Sequence, residues 1–529
     1  MESKTTIKPL EGELPSHFAD RLGVEYASKV SQEHKKQNGQ FFTPSEIASL
    51  MASYGEFHGE AIRILDPGCG TAVLACALIE HITKSNKKLK LIELIGYETD
   101  SELIPISLES LAYLEIWGKR LGIKIESKLF TEDFILHNAD SLKEPDDLFA
   151  SPIVPYDIVI SNPPYFKLPI DDIRAIVAKV IVSGHPNIYS VFMAISARLL
   201  KLNGQLIFIT PRSYASGGYF KIFRTYFFKI IEMDKVHLFV SRKDAFTREK
   251  VLQELVIIKG RRVSKLNPEH EVMISSSHGL KDIRKPMLKL FKHKELIDLG
   301  SNEKILFLPT SNSDENILNI VKNWNGNLQK YNIQISTGPV VAFRSWNFIQ
   351  ETFQNGIEPL APLFWLHNVN KMVLEWPISK PGKGQYIKIQ NDSKSILIPN
   401  KNYIFLRRFS SKDDKSRLIA APYFCNYPDS NFIGVENKVN YIYRKGGHLE
   451  RNEVMGLCAL LNSNLFDNYF RIFNGNVNVS ATELREMKIP DLEEINLIGE
   501  SIILNNNYSV EYLNEVIDQF FNQVEQPVQ

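Results

Sequence analysis

Four short, almost wholly apolar runs, at residues 62–65, 91–96, 156–160 and 206–209, constrain this chain more than any other feature. Each is too short for a buried helix and rich in Ile, Leu and Val. Each therefore reads as a strand covered on both faces. Amphipathic stretches at 72–83 and 101–121 stand between them. Such strand–helix alternation predicts a parallel sheet with helices on both sides, an α/β fold. The stretches 235–240 and 251–259 add edge strands, and residues 1–38 form a helical lead-in centred on 16–36.

A chain of 529 residues is long enough for two or three domains at roughly 100–200 residues each. The α/β pattern fills 39–262. Residues 263–300 read as a linker, with Lys281, Arg284, Lys285, Lys289, Lys292 and Lys294 as a basic patch. A second domain of α+β character, rich in Asn, Tyr and Phe, fills 301–529. The net charge of +1 excludes no partner, because a neutral total can hide a basic cleft. The four cysteines form no CxxC pair and fit no zinc site, so no metal is expected. Without a signal core or an apolar run near the roughly 18 residues of a membrane span, the expected location is the cytoplasm.

Three strand ends carry acids or glycines. Residues Asp66-Pro67-Gly68-Cys69-Gly70 close the first apolar run, and the glycines permit a tight turn and close approach of a ligand. Glu98 closes the second run, where a carboxylate can accept both ribose hydroxyls; a solvated surface glutamate is the competing reading. Asp140 is placed to receive an adenine amine, against an ordinary turn aspartate. Acids at successive strand ends suit an adenosine bearing a cationic sulfonium, S-adenosylmethionine. Phosphates favour amides and lysines instead, and no GxxxxGK[ST] occurs nearby.

The run 156–161 feeds directly into Asn162-Pro163-Pro164-Tyr165. Two prolines fix the backbone and remove two amide donors. The Asn162 side-chain oxygen and the Pro163 carbonyl are then placed to accept from one planar amine. Drawing its lone pair out of conjugation makes that amine a nucleophile toward an in-line methyl, which is catalysis by positioning and preorganised dipoles. Tyr165 offers a face for base stacking, worth roughly 1–3 kcal/mol, and Phe166 competes for that role. A proline-rich surface turn is the alternative, disfavoured directly behind a buried strand.

On these residues the chain resembles the amino DNA methyltransferases in their gamma order, with cofactor motifs, then the catalytic tetrapeptide, then a recognition domain. The run Asn38-Gly39-Gln40-Phe41-Phe42-Thr43-Pro44 is similar to that family's extra cofactor motif. Beyond residue 300, Ser336-Thr337-Gly338-Pro339, Pro362-Leu363-Phe364-Trp365 and Asn437-Lys438-Val439-Asn440 resemble the PstI/BsuBI-like branch, and the likeness runs from about Gly39 to Pro490. The resemblance implies a Rossmann-like S-adenosylmethionine-dependent domain at 39–262 and a DNA recognition domain at 301–529. It implies that Gln40, Phe42, Thr43, Asp66, Gly68, Gly70, Glu98, Asp140 and Asn162 bind the cofactor. Asn162, Pro163, Pro164 and Tyr165 would be catalytic, with Phe246 sandwiching a flipped base against Tyr165; a core phenylalanine at a strand edge is the competing reading. The substrate would be adenine N6 in double-stranded DNA, protected from a cognate restriction endonuclease. Arg344, Arg407, Arg408 and Arg444 are candidate base readers, since Arg is the best bidentate reader of guanine, although each alone also reads as a surface residue. RNA and protein-glutamine methyltransferases share the tetrapeptide. A fused restriction–modification enzyme would need a nuclease domain, for which the 38 residues before Gly39 leave no room.

Overall fold

A computed structural model describes residues 7–142, 154–240, 254–351, 359–410, 414–425, 430–474 and 478–521. The chain divides into two units, Met1–Thr310 and Ser311–Gln529. Among the described residues no helix is long and apolar enough to cross a membrane.

In the first unit the described strands are β1 (Ala61–Pro67), β2 (Leu91–Tyr97), β3 (Lys124–Phe130), β4 (Tyr156–Ser161), β5 (Leu200–Pro211), β6 (Ile231–Phe239), β7 (Leu255–Arg262), β8 (Glu271–Ser277) and β9 (Met287–Lys292). They form one sheet in the order β3-β2-β1-β4-β5-β7-β6-β8-β9. The first five of that order run parallel, and β7 is antiparallel to both β5 and β6. The apolar runs of the sequence are β1, β2, β4 and β5, each buried on both faces. In β4, Ile158 and Ile160 enter one core and Val159 the other. The strand order reverses between β1 and β4, which is where open α/β sheets bind ligands, outside the carboxyl ends of the strands. Ser161 Oγ donates to the Pro67 carbonyl at 2.6 Å and pins those two ends together.

The lead-in is two helices, α1 (Pro15–Lys29) and α2 (Gln32–Asn38). The break falls where Val30 is extended, and Ser31 Oγ accepts from His34 N at 3.1 Å to start the second helix. Helices α3 (Ser45–Ala52), α4 (Val73–Ser85) and α5 (Ile104–Arg120) follow. α1 packs on α3, α4 and α5, and Ser16 bonds Glu80 of α4 through its amide and its hydroxyl.

The stretch expected to be a linker instead contains β8 and β9. Its serine run is part of β8, paired with β6 and β9, and two of its hydroxyls meet a buried imidazole. His237 Nδ1 and Nε2 lie 2.8 and 2.9 Å from Ser275 Oγ and Ser277 Oγ, and burial pushes that histidine down to about 4. In the basic patch, Lys292 and Lys294 both pair with Glu269.

The second unit is α+β. An antiparallel sheet orders Ile333–Thr337, Val439–Arg444, Tyr403–Arg407 and Ala420–Tyr423, and a second sheet centres on Leu360–Phe364 and Phe432–Val435. Helices Arg451–Asn462 and Leu492–Asn505 approach backbone to backbone. A Cβ on Gly456 would stand 1.9 Å from the Ile495 carbonyl oxygen. Gly456→Ala should therefore cost the second unit about 1–3 kcal/mol, seen as a lower midpoint in thermal denaturation by circular dichroism. An unchanged midpoint would contradict this packing.

Candidate functional site

A cavity of about 310 Å³ opens at the switch point, within the roughly 300–1,000 Å³ span of small-molecule sites. Its wall combines Gly68, Cys69 and Gly70 after β1, Glu98 after β2, Asp133 and Phe134 after β3, and Asn162 and Pro164 after β4. The chain leaving α2, residues 38–43, supplies the other side.

Gly68 (φ +69°) and Gly70 (φ +53°) hold the turn after β1 in the left-handed region, where glycine is unstrained. That turn meets the next strand end directly. Gly70 N donates to Glu98 Oε2 at 3.2 Å, and the amides of Thr99 and Asp100 donate to Oε1 at 2.8 Å. Burial nevertheless raises the Glu98 carboxyl above the ordinary range, with the amides of Asp100, Thr99 and Gly70 opposing it. Asp66 is fully buried, does not reach the wall, and among the described residues has no hydrogen bond of ordinary geometry on either carboxylate oxygen. Desolvation lifts it well above the usual carboxylate value, the backbone amide of Ala75 opposing and the Glu98 charge adding to the rise.

Residues 38–43 act as a strap on the tetrapeptide. Asn162 Nδ2 donates to the Phe41 carbonyl at 2.8 Å and to Thr43 Oγ1 at 3.0 Å. Its Oδ1 accepts from the Tyr165 hydroxyl at 2.5 Å, which also reaches the Ile209 carbonyl at 3.1 Å. Gly39 sits at φ +60°, and a Cβ there would be 2.7 Å from Phe166 Cδ1. The strap is anchored through Asp100, which accepts from Gln40 Nε2 at 2.6 Å, Tyr26 OH at 2.7 Å and the Glu102 amide at 2.9 Å. His34 Nε2 lies 2.7 Å from the same carboxylate. Burial alone would raise Asp100, but the bonds from His34, Tyr26, Glu102 and Gln40 bring it down to about 2. Asp100 in turn raises His34.

Gln40, Phe42, Thr43, Gly68, Gly70, Glu98, Asn162 and Pro164 thus meet in one wall, whereas Asp66, Asp140, Pro163 and Tyr165 do not line it. Asp140 lies on a 3-10 turn, Ala139–Leu142, beyond a short helix. The acid at the end of β3 is Asp133, which caps that helix by accepting from Ile135 N at 2.9 Å and Leu136 N at 3.0 Å. An acid with helix-capping potential three positions after the apolar pair Leu129-Phe130 was the available signal. Arg174, also missed, lines the cavity with its Nη1 3.6 Å from Asp133 Oδ2 and its guanidinium over the Phe166 ring at 5.7 Å. The ring of Tyr165 already has one face on Phe41, centroids 5.1 Å apart. Phe246 lies in 241–253, outside the described residues.

In the second unit, three of the four candidate arginines brace the fold. Arg407 donates to the Val369 carbonyl at 2.6 Å and Asn370 Oδ1 at 2.9 Å, and Arg408 to the Asn437 carbonyl at 3.0 Å. Arg444 donates to the Tyr331 carbonyl at 2.8 Å and pairs with Glu453. Arg344 is exposed, with its guanidinium 5.3 Å from its neighbour Phe343.

The sheet order, the cradle at its switch point and the Asn-Pro-Pro-Tyr loop beside it define a Rossmann-like α/β fold with its cavity at the carboxyl ends of the strands. The family model of the Eco57I restriction-modification methylase matches residues 81–246. The type II methyltransferase M.PstI of Providencia stuartii is 29% identical over 511 residues, covering 96% of each chain. M.BsuBI of Bacillus subtilis, also a type II methyltransferase, is 32% identical over 480 residues, 89% of this chain and 91% of its own. The DrdV–DNA complex overlaps 92% of this chain and 59% of its own at 13% identity, with a TM-score of 0.48. The chain belongs to the type II restriction–modification methyltransferases, in the branch of M.PstI and M.BsuBI.

The His34–Asp100 contact makes strap anchoring sensitive to pH. Because Asp100 raises His34, the charged pair contributes fully below the ordinary imidazole value of about 6.5 and is lost as pH rises through the raised value. Affinity for S-adenosylmethionine should fall roughly two- to fivefold across that rise, the weight of a partly exposed pair. In His34→Gln this step should disappear. Calorimetric titrations at a series of pH values check this, and a step retained in the variant would contradict it.

Proposed function

We propose that the protein is a site-specific DNA methyltransferase that moves a methyl group from S-adenosylmethionine to N6 of an adenine extruded from duplex DNA. In this reading it protects its site from a cognate restriction endonuclease. The observation that carries the chemistry is the orientation of Asn162. With its nitrogen committed to Phe41 and Thr43, the amide presents oxygen, an acceptor, to an incoming amine. Adenine and duplex DNA rest on the family resemblance.

The wall fits the cofactor. Gln40 and Thr71 line the cavity, and Gln40 Oε1 and Thr71 Oγ1 are buried without hydrogen-bond partners among the described residues, as groups awaiting a polar ligand would be. Glu98 would take the ribose hydroxyls, Asp133 in place of Asp140 the adenine amine, and the Gly68–Gly70 turn the methionine end. Phe134, packed on Tyr97 and Phe192, supplies an apolar face for the purine. When bound, S-adenosylmethionine supplies an electrophilic methyl on a cationic sulfonium.

Asn162 Oδ1 and the Pro163 carbonyl would accept from the target amine and hold its nitrogen lone pair out of conjugation. A carbonyl oxygen has two lone pairs, so Oδ1 can serve the amine and the Tyr165 hydroxyl together. With one face of Tyr165 on Phe41, the base would stack on the other. The unit Ser311–Gln529 is assigned to recognition of the DNA sequence.

Expression in a host lacking DNA methylation, followed by long-read sequencing, tests this reading. Modified adenines at every copy of one short sequence are expected. Unmodified DNA, with label from the methyl donor in RNA or protein, would overturn it. Asn162→Ala should reduce transfer by about 100- to 1,000-fold with cofactor affinity nearly unchanged; a defect confined to cofactor binding would contradict its role. Asp133→Ala should weaken cofactor binding about ten- to hundredfold, whereas Asp140→Ala should not, and the reverse pattern would restore Asp140 to the site.

A further inference from the structure

We propose that the exposed turn Phe343-Arg344-Ser345-Trp346 in the second unit is a wedge that inserts aromatic rings into duplex DNA. The proposal rests on the DNA-methyltransferase reading above and deepens it.

The turn is firmly rooted. It consists of two short 3-10 segments, Ala342–Arg344 and Trp346–Phe348. At its base Val340 N donates to the Val435 carbonyl at 3.0 Å, and Asn437 N donates to the Val340 carbonyl at 2.8 Å. A Cβ on Gly338 would stand 2.2 Å from the Glu436 carbonyl oxygen, so the two segments lie as close as backbones can. Ala342 and Phe348 pack on the core around Val340, Leu363 and Trp365. The amides of Arg344 and Ser345 both bond back to the Val341 carbonyl, at 2.9 and 3.0 Å.

From this rigid base two rings point outward. Phe343 is 79% exposed, the most exposed large apolar side chain among the described residues, and Trp346 is 59% exposed. Single apolar residues are ordinary on a surface. Two aromatic rings three positions apart on a stiff turn, with an exposed guanidinium between them, are a presented feature.

Arg344 is the one charged residue between Gly338 and Gln350, with Glu351 next in the chain, and its cation favours an anionic partner. Val340 bridges to Glu436, whose carboxylate lies 3.6 Å from Lys383 Nζ, so the root of the turn adjoins that lysine. Lys380 pairs in a bridge with Lys383 and is exposed. A partner carrying both flat apolar faces and regular negative charge is a nucleic acid. Apolar or aromatic wedges enter and kink duplex steps while cations hold the phosphates.

The test uses the full-length protein, S-adenosylmethionine and a duplex carrying the methylated site found by sequencing, with 2-aminopurine placed in turn at each position of the site and its flanks. The double variant Phe343→Ala/Trp346→Ala should keep the wild-type thermal midpoint and cofactor affinity. It should lose at least tenfold in duplex affinity and most of the 2-aminopurine fluorescence rise, and Phe343→Tyr should retain both. Arg344→Ala should flatten the dependence of log affinity on log salt by about 0.9, one phosphate contact. Wild-type affinity and fluorescence in the double variant would overturn the wedge. So would a change confined to self-association in sedimentation, which would make the turn an interface between copies. If the wild-type protein methylated no DNA at all, the underlying function would fall first, so the two failures are told apart.

Discussion

A primary amide has a donor end and an acceptor end of nearly the same shape, and only its surroundings decide which one faces the substrate. At Asn162 the decision is made by a segment about 120 residues upstream. The carbonyl of Phe41 can only accept, so the amide nitrogen must turn toward it, and Thr43 adds a second acceptor on the same side. The oxygen is left toward the loop of Tyr165. In the proposed mechanism that dipole is preorganised, because the backbone carbonyl holding it does not reorient when substrate arrives.

The strap holds its place because the sheet supplies an anchor. Parallel pairing keeps the ends of β1, β2 and β3 level, with Pro67 opposite Tyr97 and Tyr97 opposite Phe130. The residues that follow each strand consequently meet on one rim. Glu98 gathers the turn after β1, and two residues later Asp100 gathers α1, α2 and Gln40. The strap and the strand ends line the same cavity, so its wall and the orientation of Asn162 share one set of supports.

Much of this was legible in the sequence where burial dictated composition. Strands covered on both faces must be continuously apolar, and β1, β2, β4 and β5 were found on that basis. β3 escaped because it is the sheet's edge, and its Lys124-Ile125-Glu126-Ser127-Lys128 half alternates instead of running apolar. Without β3 the third strand-end acid is read as Asp140, whereas the structure places Asp133 after that strand. β8 escaped because its serines hydrogen-bond His237, a long-range pairing that local composition does not encode. The arginines show the same limit. Arg344 and Arg407 look alike as residue types, yet only the fold reveals that Arg407 is committed to Val369 and Asn370.

The account turns on the strap orienting Asn162, and Thr43→Val addresses it most directly. Valine keeps the shape of threonine and removes one acceptor of the Asn162 nitrogen. With DNA and S-adenosylmethionine both saturating, the single-turnover rate of methyl transfer should fall by about tenfold, the weight of one hydrogen bond at a desolvated site. A single-turnover rate equal to that of the wild-type protein would contradict the claim that residues 38–43 set the catalytic amide.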